Sequence, residues 1–122
     1  MVDPGILCRQ HLLGEHNELH KFIGHLNLER QIDRYIENNC LEPQSIRQRH
    51  ATLVLEMEQR GYKHHTPLPN YIQISHLPPE VRTYKVDASA SLLDLLNRCP
   101  VCRGRYHDHY FQKGIETITE SD

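Results

Sequence analysis

A chain of 122 residues with 38% hydrophobic and 7% aromatic residues, and no tryptophan, supplies one domain with a thin core. Such a composition favours a compact all-α bundle over a sandwich or barrel, and a net charge of −2 excludes a uniformly basic nucleic-acid binder while leaving room for a local basic face. No apolar run approaches the length of a membrane span, and no signal-peptide-like segment precedes the first predicted helix, so the expectation is a soluble, cytoplasmic, monomeric protein with no membrane partner.

Asp3-Pro4 is a start signal: an N-cap followed by proline at the first helical position. From there a helical pattern runs to about Leu26, and Leu12, His16, Leu19, Ile23 and Leu26 recur at the spacing of a buried stripe. On that stripe His16 reads as a packed, hydrogen-bonded histidine rather than a catalyst. A short helix around Ile32–Glu37 is expected next. Ser45 with Gln48 has the pattern of a capping box, Ile46, Leu53 and Met57 form the apolar stripe behind it with Val54 beside, and Gly61 suits the helix end. Four of the seven prolines fall in residues 64–79, which read as an extended loop over the bundle. A third main helix is predicted from Ala88 to Asn97, capped by Asp87, with Leu92, Leu93, Leu95 and Leu96 as core and Pro100 as its stop. Residues 98–113 then hold Arg98, Arg103, Arg105 and Lys113 against Asp108, while Glu116, Glu120 and Asp122 follow. The chain thus reads as a single helical domain over residues 1–113 and an acidic tail over 114–122.

The first helix has an unusual solvent face. At about 100° per residue, His11, Glu18 and His25 fall on one line. Gln10, Gly14, Asn17 and Lys21 form the adjacent stripe, flanked on the other side of that line by Glu15 and Phe22. Gly14 costs about 1 kcal/mol relative to alanine in a helix interior, and its missing side chain would let a ligand approach the backbone. The ordinary reading of such a face is a solvated, charged surface with Glu–Lys pairing.

Gln10-His11-Leu12-Leu13-Gly14-Glu15-His16-Asn17-Glu18-Leu19 resembles the QHLxxExxEL segment of the pyrimidine-dimer DNA glycosylases, the phage endonuclease V family of repair enzymes. Arg49-His50 through Leu53, Glu56, Met57 and Arg60-Gly61-Tyr62 resembles the family's second long helix, and Ile74-Ser75-His76-Leu77-Pro78-Pro79-Glu80-Val81-Arg82 a downstream loop. The resemblance implies a compact helical domain with no metal and no nucleotide cofactor, acting on damaged double-stranded DNA in a prokaryotic or phage-infected cell. It implies a DNA repair glycosylase with AP lyase activity, working through an imine formed by the N-terminal α-amine, with Glu18 as acid/base. Removal of Met1 would expose Val2 as that amine. By the same resemblance Gln10, His11 and Lys21 are DNA contacts, with Asn17 where the family usually has arginine. Arg103, Arg105, Tyr106, His107 and Tyr110 correspond to a C-terminal aromatic-basic cluster that here lacks tryptophan. A helix unbroken over residues 4–18 would hold the Val2 amine about 20 Å from Glu18. The mechanism therefore needs residues 2–8 folded back as a loop, a chain start further upstream, or a different chemistry.

The cysteines leave a second reading open. Cys8 and Cys40 are isolated, Cys99 and Cys102 form one CxxC, and no disulfide framework is expected. Cys99 and Cys102 with His107 and His109 would offer zinc four ligands of suitable type. On that alternative the chain is a non-catalytic nucleic-acid-binding module.

Overall fold

The predicted first helix is two elements. In the computed structural model, which describes residues 1–63 and 67–121 (the last eleven by backbone alone), Asp3 does act as a cap. Its Oδ1 accepts from the Gly5 N–H at 2.9 Å, but what it starts is a 3-10 turn over Pro4–Ile6. Leu7 and Cys8 are extended, and α1 begins afresh at Arg9 and runs to Asn27. An unbroken helix would carry residues 4–8 away from the body. Folding back buries Pro4, Ile6, Leu7 and Cys8, with Ile6 only 1% exposed. Burying an isoleucine and a leucine contributes about 1.5–3 kcal/mol each, more than the helical hydrogen bonds given up. Two guanidinium groups fasten the turn: Arg60 Nη2 donates to the Pro4 carbonyl at 3.1 Å and Arg105 Nη2 to the Gly5 carbonyl at 2.9 Å.

The buried stripe of α1 is as expected, with Leu12, His16, Leu19, Ile23 and Leu26 all inside. Phe22, placed on the flank by periodicity, is also buried, because Tyr35 of α2 (Asp33–Glu37) covers it with ring centroids 4.5 Å apart. The stripe packs on α3 (Ile46–Gln59), whose Ile46, Leu53 and Met57 face it together with the buried Arg49 and His50. Ser45 does not close the predicted capping box; its hydroxyl donates to Glu42 Oε1 at 2.7 Å instead. Gly61 ends α3 as expected. Its φ of +82° turns the chain so that the Tyr62 N–H meets the Met57 carbonyl at 2.8 Å.

Past α3, the Pro-containing loop is anchored by the last residue of α1. Asn27 donates to the Tyr71 carbonyl and accepts from the Gln73 N–H. His64, His65 and Thr66 of that loop, and Asp122 of the tail, lie outside the described residues. A one-turn α4 (Pro79–Arg82) follows. Then comes α5 (Ala88–Arg98), capped by Asp87, whose side chain accepts from the Ala90 N–H at 3.0 Å. Of its four predicted core leucines only Leu95 is buried; Leu92 and Leu96 are half-buried, and Leu93 is 64% exposed. Pro100 ends α5 and also opens α6 (Pro100–Ser121), a helix that the periodicity had not marked. The backbone of residues 114–121 is therefore helical. No strand occurs among the described residues, so the all-α bundle expected from composition is what forms.

Arg49 is 6% exposed and meets Glu15 through both carboxylate oxygens, at 2.5 and 2.9 Å. Removing one partner of a buried pair strands the other charge. Glu15→Ala is expected to destabilise the protein by about 3 kcal/mol in chemical denaturation, and Arg49→Met by clearly less, since it deletes the buried charge as well.

Candidate functional site

Helix α1 presents Gln10, Asn17, Glu18 and Lys21 to solvent, with His11 half-buried beside them. Gly14 sits in the same face, and a Cβ built there meets no atom within 4 Å, so nothing in the protein itself demands the glycine. Glu18 is held above the ordinary carboxylate range. Burial is the main cause and Glu15 adds to it, against the opposing charges of Lys21 and His11. An upward shift of this kind is what acid/base work asks of a carboxyl.

The folded-back N-terminus lies between two clefts. One, of about 220 Å³, is lined by Met1, Glu42, Ser45, Gln48, Arg49 and Thr52. In the other, Val2 faces Leu92, Tyr106 and Tyr110. The Glu15–Arg49 pair connects the first cleft to the α1 face, since Arg49 lines the cleft and Glu15 precedes Glu18 by three residues. Glu42 was not singled out by sequence. Burial pushes its carboxyl up, but hydrogen bonds from Ser45 Oγ and the Val86 N–H, with Lys85 and the chain amine, hold it below the usual range. It had no motif to mark it; only the fold-back brings the amine near.

The C-terminal cluster is partly committed to structure. Arg103 Nε donates to the Leu96 carbonyl at 2.8 Å, Arg105 holds Gly5, and Tyr106 is half-buried against Tyr110 with ring centroids 4.6 Å apart. Arg105 and Tyr106 thus meet the N-terminal turn. Lys113 and everything later in α6 have no described side chains.

The four residues weighed for zinc do not all converge. Cys99 and Cys102 come together, but His107 is 71% exposed beside Asp108, and His109 Nε2 is turned to Asp3, at 4.0 Å. What joins the two cysteines is Cys8 and His11, so that four ligand-type atoms lie within 4.8 Å of one another. His11 Nδ1 stands 3.1 Å from Cys8 Sγ and 3.5 Å from Cys102 Sγ, and Cys8 Sγ is 4.0 Å from Cys99 Sγ. Hydrogen bonds, first from Cys102, hold the Cys99 thiol down, whereas burial pushes Cys102 up to about 12. A second cluster joins His16, His20 and His50 between α1 and α3, with ring centroids 4.9 to 5.3 Å apart. Cys40 is apart from both, exposed, and its thiol is raised chiefly by burial of the sulfur and then by Glu18.

The helical face, the folded-back amino end and the α1–α3 pair all fall within the part of the chain that can be compared with known families. A family model described as pyrimidine dimer DNA glycosylase matches residues 1–70. No curated protein and no solved structure gives a significant match. The matched segment is more than half of the chain and contains α1, α3 and the turn that brings the amino end back onto them, and on this evidence the chain belongs to the pyrimidine dimer DNA glycosylase family.

Proposed function

We propose that the protein is a DNA glycosylase with AP lyase activity on duplexes carrying a pyrimidine dimer or an abasic site. Family membership gives the glycosylase class and a DNA substrate. The observation that supports the finer reading is the fold-back of residues 2–8, which stands in place of the unbroken helix that would hold the Val2 amine about 20 Å from Glu18.

In this reading Met1 is removed and the Val2 amine is the nucleophile. An α-amine titrates near pH 8, so far more of it is neutral at pH 7 than of a lysine. Its nitrogen attacks C1′, the glycosidic bond breaks, and the departing base takes a proton. The C1′–O4′ bond then opens, O4′ takes a proton, and the resulting iminium acidifies C2′. Glu18 accepts that proton, the C3′–O bond breaks with its electrons leaving on the 3′ phosphate, and water releases the enzyme from the sugar. Glu18 carries the acid/base role in this reading because it stands on the α1 face and because burial, with Glu15, shifts its carboxyl upward, toward easier exchange of a proton. Gln10, His11, Asn17 and Lys21 engage the DNA around the lesion, and the open backbone at Gly14 admits the strand. Exposed Arg103 contributes phosphate contacts, while Arg105 and Tyr106 contribute by seating the N-terminal turn near the DNA. Glu42, which shares a cleft with Met1, is the carboxylate this reading assigns to stabilising the cationic forms of the amine left when Met1 is removed.

Borohydride trapping on a duplex with an abasic site or a thymine dimer tests the imine. A covalent adduct is expected with protein whose mass confirms a Val2 terminus, and its absence overturns the imine mechanism. Glu18→Gln is expected to slow adduct formation and strand cleavage by about 100-fold or more; an unchanged rate removes Glu18 from the mechanism.

The same variant reads the pKa. A carboxyl whose pKa is raised by folding stabilises the protein only while protonated, so stability falls as pH rises through the ordinary and then the raised value. Glu18→Gln should therefore melt higher than the parent at pH 7, with the difference closing as the pH drops below the carboxylate range.

Gly14→Ala separates packing from function. The new methyl group meets nothing, so thermal stability is expected to rise by about 1 kcal/mol. Binding to lesion-containing duplex is expected to weaken in the same variant, and unchanged binding would mean that no strand approaches Gly14.

A further inference from the structure

The N-termini of α1 and α6 meet head to head, and each delivers the same pair of positions. Cys8 is the N-cap of α1 and His11 lies in its first turn; Cys99 immediately precedes α6 and Cys102 lies in its first turn. In both helices the first intrahelical bond starts at the cysteine carbonyl, from the Leu12 N–H at 2.9 Å and the Arg103 N–H at 3.0 Å. Backbone N–H groups also point at the sulfurs: Cys8 N–H at Cys102 Sγ, 3.2 Å, and Cys102 N–H at Cys99 Sγ, 3.4 Å.

We propose that Cys8, His11, Cys99 and Cys102 bind one zinc ion, in a closed Cys₃His site that ties the start of α1 to the start of α6. The distances fit. With Zn–S of about 2.3 Å and Zn–N of about 2.0 Å, a tetrahedron has S···S edges of about 3.8 Å and S···N edges of about 3.5 Å. The structure has an S···S separation of 4.0 Å and S···N separations of 3.1 and 3.5 Å. The donor chemistry fits as well, since three sulfurs and one imidazole are a usual structural zinc set. So does the charge. Each helix start carries about half a positive charge, and two of them facing each other repel. Three thiolates around Zn²⁺ leave one net negative charge between them, and the N–H···S contacts are the second shell that such thiolates need. Cys8, Cys99 and Cys102 are all buried, which suits a structural site without an open position. His11 binds through Nδ1, leaving Nε2 as a donor toward the α1 face. The site departs from the metal-free expectation carried by the family resemblance, and it stands whether or not the imine mechanism holds.

The test uses the full chain, expressed with zinc and purified under reducing conditions without chelator. About one zinc per chain that survives dialysis is expected by elemental analysis. Cobalt substituted for it should show the visible bands of tetrahedral coordination and a thiolate charge-transfer band. Cys40→Ser and the double variant His107→Ala/His109→Ala should keep the metal. Cys102→Ser should lose it, and His11→Ala should weaken it at least about 10-fold, the loss that second-shell changes alone produce. Should Cys102→Ser fail to fold, the wild-type chain decides: a strong zinc chelator should lower its melting temperature and zinc should restore it. Wild-type protein that is metal-free and shows no thiolate band with cobalt overturns the proposal. So does a Cys8–Cys99 disulfide in the reduced preparation, or full zinc occupancy in Cys99→Ser/Cys102→Ser, which would place the metal elsewhere.

Discussion

The rotation of α1 about its own axis is the constraint on which the rest depends, and the α1–α3 interface sets it. Four aliphatic residues, Phe22 and His16 pack inward along α1, but hydrophobic contact alone tolerates some rotation. The buried guanidinium of Arg49 does not. It must find Glu15, and it does so with two parallel hydrogen bonds. With Glu15 held at that edge, Gln10, Asn17, Glu18 and Lys21 have no direction left but outward. The polar face that drew notice in the sequence is thus positioned by a charge pair on its border. Its acid/base candidate is tuned by the same pair, because Glu15 is one of the groups that raise the pKa of Glu18.

The amino end is the second half of the arrangement, and it is held by quite different means. Residues 4–8 form little regular structure of their own. They stay in place because Ile6 and Leu7 are buried and because Arg60 and Arg105 reach across to two of their carbonyls. Arg60 comes from the end of α3 and Arg105 from α6, so the short turn is gripped from the middle of the chain and from its last helix. The carboxylate of Glu56 keeps Arg60 in position at 2.9 Å. Arg105 of α6 thus has structural work at the amino end.

Much of this was legible in the sequence where local rules govern. The stripe of α1, the cap at Asp87 and the Gly61 turn each follow from spacing or from a residue's backbone preference, and each is present. The failures are tertiary in origin. Asp3-Pro4 starts a turn rather than α1 because burial of Ile6 and Leu7 outweighs helical continuation. Ser45 abandons its capping box for Glu42, a partner no local pattern identifies. Leu93 looked like core, but α6 covers only part of α5, and α6 itself was hidden behind a proline read as a stop rather than as a first helical residue. For the site, the α1 face was readable from one helix. The company of Cys8 and His11 with Cys99 and Cys102 was not, because nearest-neighbour spacing favoured His107 and His109, and only the meeting of two distant helix starts selects the other pair.

That meeting has a consequence for how the molecule is made. Cys8 and its partners in α6 are 91 to 94 residues apart in sequence. A loop of that length closes late, and contacts of such separation slow folding. During synthesis α1 can pack on α3, and Arg60 can reach the Pro4 carbonyl, well before α6 leaves the ribosome, but Gly5, Cys8 and His11 lack their remaining partners until α6 has emerged. The start of α1 is thus translated long before the groups that complete its mooring. A chain cut between the end of α3 and Cys99 would keep the α1–α3 pair and lose the α6 groups that moor the beginning of α1, which makes α6 a checkpoint on assembly.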